Sequence, residues 1–525
     1  MNSRFPLALL SGLLLNLIFP KWELYFLAWV ALVPLFWALA KSPSCKNSFL
    51  LGLSCGLVYF TGSCFWITNT MTNYGGLPFW ASFLALLLLT FYMALYVAAF
   101  SALFSFFRER AGVFPALLLS PFLWALLEYA RTFLLTGFPW NFLGYSQYKN
   151  YTVIQIADLA GIYGVSFFVC FINAFIFFLI LSFSAGKKKV NGLNLRGRGL
   201  AVFSAAALLF IIGVVYYGKA KLSQYSLHEG GDALNVCLVQ GNIEQGEKWD
   251  PAQRKKIFEI YEALTLDSLK DKTDLVVWPE TATPFFFNFD ASKAEWVSAL
   301  AKRTGTYLLT GSPSLERDGD KSLLANSAYF LSGEGSVLER YDKIKLVPFG
   351  EYVPLGKLLW FVEKLVVGIG DFQAGQEPKI MRHPKGPFGV LICFEIIFPQ
   401  LARWNAMQGA GFLVNITNDA WFGRSAGPYQ HLSMAVFRAV EERMPVVRAA
   451  NTGISAIINQ NGRIESASGI FSREVVRGGI FPAKGPGSFY ARHGDLFSWL
   501  CCTVVLIALF AMLFFKNKNL FSHGP

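Results

Sequence analysis

Eight long apolar runs constrain the fold of this chain more than any other feature. A helix needs about 20 mostly apolar residues to cross a bilayer, and only 15% of the 525 residues are charged, against about 25% in a typical soluble domain. The first two runs are short and closely joined, so a hairpin is an alternative for them. We therefore predict a membrane protein with spans near residues 6–20, 23–40, 48–68, 79–106, 113–135, 162–184, 199–218 and 494–515.

The positions of lysine and arginine predict the orientation of these spans, because loops on the cytoplasmic side carry an excess of both residues. Loop 69–78 has no charged residue, whereas the basic residues of the alternate loops include Lys41, Lys46, Arg108, Arg110, Lys187, Lys188, Lys189, Arg196 and Arg198. The net charge of +12 follows from this topology, and no nucleic-acid partner is expected. The bias places residues 221–490 outside, which is the periplasm in a bacterium with two membranes.

These observations divide the chain into three parts. We predict a membrane domain of seven transmembrane helices over residues 1–220, a polar domain over 221–490, and a last transmembrane helix with a cytoplasmic tail over 491–525. Eight spans are more than an anchor requires. Glu128 and Arg131 lie within the fifth span, and ionisable groups in a membrane mark function by default, although a local ion pair explains them equally well.

The polar domain alternates short apolar runs with helical stretches, as layered α/β proteins do. Strands are predicted within 233–242, 274–280, 307–313, 325–332, 336–346, 389–399 and 412–419, and a hairpin with an Asn461-Gly462 turn closes the set. Helices are predicted over 250–269, 295–305 and 399–410, and from 430 onwards. Open α/β sheets place their sites at strand ends, so polar residues that follow these strands are the candidates.

One of the eight cysteines occupies such a position. Cys393 directly follows the apolar run 390–392, and Glu395 comes two residues later. Buried cysteines are common in protein cores, so the residues alone leave Cys393 open as a core side chain or a nucleophile. The other cysteines form no CxxC pair or metal-spaced cluster, and neither a disulfide framework nor a metal site is predicted.

Four stretches resemble the nitrilase superfamily: WPETATP (278–284), RYDKIKLVPFGEYVP (340–354), LICFEIIFP (391–399) and NITNDAWFG (415–423). The leader QGNIEQGEKW (240–249) and the predicted arrangement of spans resemble the membrane branch of that superfamily, the apolipoprotein N-acyltransferases. The resemblance implies a nitrilase-like α-β-β-α domain inserted between transmembrane helices. It also implies a catalytic triad of Glu280, Lys343 and Cys393.

The resemblance assigns roles that fit the chemistry of these side chains. Glu280 takes the thiol proton as general base, while Lys343 and the backbone N–H of Phe394 stabilise the oxyanion. Lys345, two residues further along, competes with Lys343 for that role. Glu351 resembles the second acid of nitrilase-like enzymes. Glu395 is left open between a catalytic aid and a residue that fixes the turn.

The implied reaction has two steps and needs no cofactor. A phospholipid donates its acyl chain to Cys393 as a thioester, and the amino-terminal diacylglyceryl-cysteine of an apolipoprotein accepts it, which gives a triacylated lipoprotein. We expect a monomer in the bacterial inner membrane. Two alternatives stay open, namely a membrane-tethered nitrilase-type amidase that uses water as acceptor, and a transporter that carries an inactive domain.

Several aromatic residues are candidates for substrate binding. Trp249 and Trp421 could line an acyl pocket, and Tyr352 could contact substrate, although all three could equally be packing residues. The apolar loop 355–372 contains Trp360 and Phe361, and we predict an arm or lid that enters lipid rather than a buried helix. The run PFFFNF (284–289) is predicted to be a second arm.

Overall fold

The computed structural model describes residues 4–184, 198–226, 232–318, 321–352 and 372–514. Its amino-terminal part is helical. The eight α-helices described there are α1 (Phe5–Leu17), α2 (Val33–Ala40), α3 (Cys45–Ser63), α4 (Trp66–Asn73), α5 (Phe79–Ala111), α6 (Val113–Arg131), α7 (Ala157–Ser184) and α8 (Arg198–Ser226).

The long apolar helices confirm the membrane character, but the predicted count of eight spans is not confirmed. Within the described residues, five helices are long and apolar enough to cross a bilayer, and a sixth span results if α3 and α4, bent by 55°, count as one. The runs at 6–20 and 23–40 form shorter apolar helices instead. The 13 residues of α1 rise about 20 Å, less than the roughly 30 Å of a hydrocarbon core.

The polar part contains two sheets that, in the described residues, have six strands each, in the orders β12-β1-β2-β3-β4-β5 and β11-β10-β9-β8-β7-β6. The first comprises β1 (Leu234–Gln240), β2 (Leu275–Val277), β3 (Tyr307–Asp318), β4 (Lys321–Leu331), β5 (Val337–Asp342) and β12 (Glu474–Ile480). The second comprises β6 (Ile380–His383), β7 (Gly386–Ile392), β8 (Phe412–Thr417), β9 (Val446–Ala450), β10 (Ala456–Ile458) and β11 (Ile464–Ala467).

Helices cover the outer face of each sheet, so the layers run α-β-β-α as predicted. Side chains of both sheets meet in one buried apolar cluster. The first sheet is covered by α9 (Arg254–Ser268) and α10 (Ala291–Thr304), and the second by α11 (Pro399–Met407) and α12 (Gly427–Glu442). Strands β7, β8 and β9 pair in parallel and are apolar almost throughout, as expected where both faces of a sheet are covered.

The second helix layer lies against the membrane helices, and a single apolar cluster extends from them into α11 and α12. Helix α7 is broken at Gly161, whose φ is +63°. The N–H of Ile162 after the break donates to Glu441 Oε1 of α12 at 2.8 Å. After β12, the last strand, the chain continues through α13 (Phe489–His493) into the candidate span α14 (Leu496–Phe514).

The two predicted lipid arms have different outcomes. The prediction for 284–289 is wrong for Phe285 and Phe287, which are 5% and 4% exposed. Both rings belong to the cluster that covers the outer face of the first sheet, where Phe287 stacks on Tyr329 with ring centroids 4.4 Å apart. Of loop 355–372 only the last residue lies within the described residues, so Trp360 and Phe361 lie outside them.

Candidate active site

Cys393 lies at the end of β7, where the strand turns into the short 3-10 helix Cys393–Ile397. Its φ is +52°, in the left-handed region that non-glycine residues seldom adopt. The residue is 9% exposed. Strained backbone of this kind persists only where the surroundings hold it, and it concentrates at functional sites.

The Glu395 carboxylate holds this turn in place. It accepts hydrogen bonds from the N–H groups of Ile392 (2.7 Å), Ile344 (2.7 Å) and Lys345 (3.0 Å), and from the Tyr341 hydroxyl (2.9 Å). Burial raises the pKa of Glu395 to about 7, although the backbone donors act in the opposite direction. Glu395 thereby ties the Cys393 turn to the segment after β5, which favours the structural one of the two roles left open for it.

Glu280 comes from the first sheet, three residues after β2 ends. Its Oε1 accepts from Asn326 Nδ2 at 2.8 Å, and its Oε2 accepts from the N–H of Asn418 at 2.9 Å. The residue is 5% exposed, and the next residue, Thr281, has a φ of +50°. Both oxygens of a buried carboxylate are thus oriented by donors from two different sheets.

Lys343 directly follows β5 and is 1% exposed. Its Nζ lies 2.9 Å from Glu351 Oε1 and 3.6 Å from Glu280 Oε1. Burial alone lowers the pKa of this ammonium, but the two carboxylates outweigh burial and raise it. The competing Lys345 points elsewhere, with its Nζ 5.1 Å from the centre of the Phe398 ring.

Glu351 connects the members of this cluster. Its Oε1 also accepts from Asn326 Nδ2 at 2.9 Å, and its Oε2 accepts from the N–H of Val347 at 2.8 Å. A single Asn326 amide therefore bridges Glu280 and Glu351, with the Lys343 ammonium beside both. Glu351 Oε1 therefore contacts both Lys343 and Asn326, and its role as a second acid stays a prediction.

The electrostatics of the thiol require a base. Burial raises the pKa of Cys393, the Glu280 carboxylate raises it further, and Lys343 acts in the opposite direction. The net effect is upward, so the sulfur carries its proton at neutral pH. A neutral thiol is a weak nucleophile until a nearby base accepts its proton.

Two predicted residues lie where the two-sheet part of the chain meets the membrane half. The Phe394 ring stacks on Phe138 with centroids 6.3 Å apart. The Trp421 ring lies 5.1 Å from that of Tyr74, and its carbonyl accepts from Thr70 Oγ1 at 2.8 Å. The turn that begins at Cys393 and the loop after β8 therefore both contact the membrane half.

The remaining predicted side chains lie at the edge of the site. Tyr352 is half-buried, and its hydroxyl lies near the side chain of Thr136, in the segment that follows α6. Trp249 is half-buried in a turn after β1. These positions suit contact with a substrate that enters from the membrane side, and equally suit packing.

Sequence reasoning missed three polar residues of the site. Asn326 interrupts the apolar pattern of β4, Asn418 follows β8, and Lys248 is buried beside Glu280. A polar residue within a buried strand is a usable signal, because burying an amide without a partner is unfavourable. Lys248 gave no such signal, because a lone lysine in a polar leader normally faces solvent.

Family models match both halves of the chain. The apolipoprotein N-acyltransferase N-terminal domain matches residues 11–175, and the carbon-nitrogen hydrolase domain matches residues 235–481. The second match agrees with the α-β-β-α layers and identifies a nitrilase-like fold. Among solved structures, an amidase from Nesterenkonia sp. aligns at 16% identity over 52% of this chain and 98% of its own, with a TM-score of 0.38, which is too low to add support.

Curated relatives match over nearly their whole length. The apolipoprotein N-acyltransferase of Geobacter metallireducens is 45% identical over 519 residues, which cover 98% of this chain and 96% of the relative. The corresponding protein of Haemophilus influenzae is 32% identical and covers 99% of this chain and 97% of its own. With both domains matched in this order, the chain belongs to the apolipoprotein N-acyltransferase family.

Proposed function

We propose that the chain transfers an acyl chain from a phospholipid, through a thioester on Cys393, to the amino-terminal diacylglyceryl-cysteine of apolipoproteins. The products are a triacylated lipoprotein and a lysophospholipid. One observation carries the proposal. The buried Lys343 ammonium lies 2.9 Å from Glu351 Oε1 and 3.6 Å from Glu280 Oε1, and the pKa of Cys393, which has left-handed backbone, responds to Glu280 and Lys343. The site also adjoins the membrane half of this chain, which belongs to the apolipoprotein N-acyltransferase family.

In the first step, Glu280 takes the proton of the Cys393 thiol while the sulfur attacks the ester carbonyl of the phospholipid. A tetrahedral intermediate forms, and the Lys343 ammonium and the Phe394 N–H stabilise its oxyanion. The carbon–oxygen bond then breaks, and Glu280 returns the proton to the departing alkoxide. Lysophospholipid leaves, and the acyl chain stays on the sulfur.

In the second step, the α-amine of the acceptor cysteine attacks the thioester carbonyl and gives its proton to Glu280. The same donors stabilise the second oxyanion. The carbon–sulfur bond breaks, the amide remains on the lipoprotein, and Cys393 recovers its proton. An amide is more stable than a thioester, so this step needs no other energy source.

The supporting residues act on the geometry of the triad. Glu351 orients Lys343, and Glu395 holds the turn that presents Cys393. Trp249, Tyr352 and Trp421 are proposed to line the path of the lipid substrates, because Trp421 contacts Tyr74 of the membrane half and Tyr352 lies near Thr136. Trp360 and Phe361 stay a prediction for the same path.

The topology is a further part of the proposal. We assign residues 1–220 to a membrane domain, 221–490 to a periplasmic catalytic domain, and 491–525 to the last span and a cytoplasmic tail. The eight-span proposal counts α3 and α4 as one span and requires the two short amino-terminal segments, Phe5–Leu17 and Tyr25–Ala40, to cross together with the residues that flank them. The excess of lysine and arginine in alternate loops supports the orientation, and we expect the protein to act as a monomer.

The first prediction tests the thioester directly. Purified protein is incubated with phospholipid alone, and the peptide that contains Cys393 is analysed by mass spectrometry for a gain of one acyl chain. We expect the adduct in the wild type and its absence in Cys393→Ala. Cys237→Ala is the matched control, because Cys237 is buried in β1 and should leave the adduct unchanged.

Addition of a diacylated lipopeptide completes the test. We expect loss of the adduct and formation of the N-acylated peptide. An adduct on another cysteine, or none on any cysteine while N-acylation proceeds, contradicts the proposal. Release of free fatty acid without N-acylation identifies the nitrilase-type hydrolase instead.

A further inference from the structure

A second buried ammonium lies beside the triad. Lys248 is 1% exposed, and its Nζ donates to the backbone carbonyl of Glu280 at 3.1 Å. An ammonium carries three donors, and a lysine is seldom fully buried without charged partners. The groups that act electrostatically on Lys248 are Glu280 and, once it is ionised, Cys393.

The loop that carries Lys248 is fastened to the other sheet. Asn418 Nδ2 donates to Gln245 Oε1 at 2.7 Å, and the N–H of the same Asn418 donates to the Glu280 carboxylate. Asn451 Nδ2 donates to the Ile243 carbonyl at 2.8 Å and to Asn418 Oδ1 at 3.1 Å. The position of Lys248 is therefore set by the residues that orient the base.

The charge balance of the site indicates why a second cation is needed. The Lys343 ammonium lies 3.6 Å from the buried Glu280 carboxylate and 2.9 Å from the partly buried Glu351 carboxylate, and the buried Glu395 lies near the same ammonium. The nearby Asp419 is already neutralised by Arg448, with its Oδ2 2.7 Å from Nη2. A thiolate would add one more negative charge to this cluster, and like charges in a buried site strongly oppose ionisation.

We propose that Lys248 is a positioning residue of the active site, whose ammonium holds the backbone of Glu280 and stabilises the thiolate of Cys393 as it forms. This inference deepens the proposed function and rests on it for the role of the thiolate. Lys343 remains the residue that contacts the reacting carbonyl oxygen. Lys248 acts through Glu280 and Cys393.

The ionisation of Lys248 is consistent with this role. Burial lowers its pKa to about 8, with Glu280 and Cys393 acting in the opposite direction. A thiolate that forms on Cys393 therefore favours the charged form of Lys248. The other titratable or charged groups of the elements packed around the thiol are Glu280, Lys343, Lys345, Glu351, Glu395, Asp419, His431 and Arg448.

The second prediction measures the thiolate without requiring acyl transfer. The rate of alkylation of Cys393 by iodoacetamide is followed by mass spectrometry of its peptide between pH 6 and pH 10, in the detergent-solubilised full chain. We expect Lys248→Met to lower the rate at pH 7.5 about tenfold and to displace the pH curve upwards by about one unit. Lys248→Arg keeps the charge and should stay close to the wild type.

The matched control is Lys345→Met, which removes a half-buried lysine of the same region whose Nζ lies over Phe398; its curve should superimpose on that of the wild type. Lys248→Gln provides a second neutral variant if the methionine variant does not purify as a folded protein. An undisplaced pH curve in the neutral variants overturns the inference, whether or not the rate falls, and so does equal displacement by Lys248→Arg. If wild-type Cys393 shows the expected alkylation but never carries an acyl chain from phospholipid, the proposed function fails while the effect of Lys248 is still measured.

Discussion

The two helix layers of the catalytic domain differ in what lies on their far side. In α9 and α10 the fully buried residues form one stripe against the first sheet, such as Ile257 and Tyr261 on α9 and Val297 on α10. In α12 every residue except Tyr429 is buried. The first layer faces solvent, whereas the second lies between a sheet and the membrane helices.

Helix α12 nevertheless carries several polar side chains, and these bond to the membrane half. Gln430 Oε1 accepts from the indole N–H groups of Trp66 (3.1 Å) and Trp140 (2.7 Å). Arg438 Nη2 donates to the Tyr145 hydroxyl at 3.1 Å. Buried polar groups are tolerated only when they find partners, so the partners across this boundary are part of the fold of α12.

Arg443, the residue directly after α12, makes the same kind of contact with the start of α7 and with the short segment before it. Its guanidinium donates to Asp158 Oδ2 at 2.8 Å through Nη2 and to Gln155 Oε1 at 2.6 Å through Nη1. The boundary between the two halves therefore resembles the interior of one domain. Interfaces between independent domains are usually small, and the domains that they join move relative to each other.

The third prediction has the largest expected effect on stability and breaks the buried layer. Arg438→Met removes a guanidinium that bonds Glu441, Tyr145 and the Ile397 carbonyl, the last at 3.3 Å. An uncompensated buried charge on Glu441 should lower the free energy of unfolding by about 3–5 kcal/mol. SDS titration of the detergent-solubilised protein measures this change. A loss under 1 kcal/mol would show that the contacts of α12 with the membrane half contribute little.

The fourth prediction concerns how the stability of the buried layer depends on pH. Neither carboxyl oxygen of Glu442 has a hydrogen-bond partner among the described residues, and burial raises its pKa well above 4.5. The folded state then holds a proton that the unfolded state releases, so stability falls as pH rises above about 4.5. Glu442→Gln should remove this slope and stabilise the protein at pH 8 by about 1–3 kcal/mol, with the difference from the wild type closing towards pH 5.

Thermal unfolding at a series of pH values measures that slope. The control is Glu262→Gln on α9, where the carboxylate is only partly buried and pairs with Arg303. It should leave the slope unchanged. Equal slopes in the wild type and Glu442→Gln would mean that this carboxyl does not titrate differently on unfolding.

The fifth prediction has the smallest expected effect and concerns the solvent-facing layer. Arg303 of α10 pairs with Glu262 of α9, and its side chain is 54% exposed. Because water screens such pairs, Arg303→Met should change the free energy of unfolding by less than about 1 kcal/mol. The same SDS titration gives a direct ratio to Arg438→Met. Similar losses for both variants would contradict the distinction between the two layers.

The sequence predicted the elements that carry a strong local pattern. The hairpin around Asn461-Gly462 and the strand that ends at Cys393 appear as expected. Strands β6 and β12 were not predicted, because β6 has four residues and β12 contains two glycines. Both strands are specified by pairing with partners in the sheet rather than by their own residues.

The site was predictable only in part for a similar reason. The motifs indicated Glu280, Lys343 and Cys393, and the structure brings Glu280 and Lys343 to within 3.6 Å. Apolar pattern alone could not separate a lipid arm from a buried cover, so Phe285 and Phe287 were misassigned. The position of Lys248 depends on how a polar loop packs against the second sheet. Such a tertiary contact cannot be predicted from the local sequence.

The break in α7 has a consequence for how the protein is assembled. A regular helix satisfies its own N–H groups, but the turn at Gly161 leaves that of Ile162 to be satisfied by Glu441, more than 270 residues later in the chain. The Tyr490 ring lies so close to Gly161 that a Cβ there would come within 2.7 Å of it. The break in α7 is thus completed only by residues of the last third of the polypeptide, and a chain that ends before Glu441 leaves the Ile162 N–H without this acceptor.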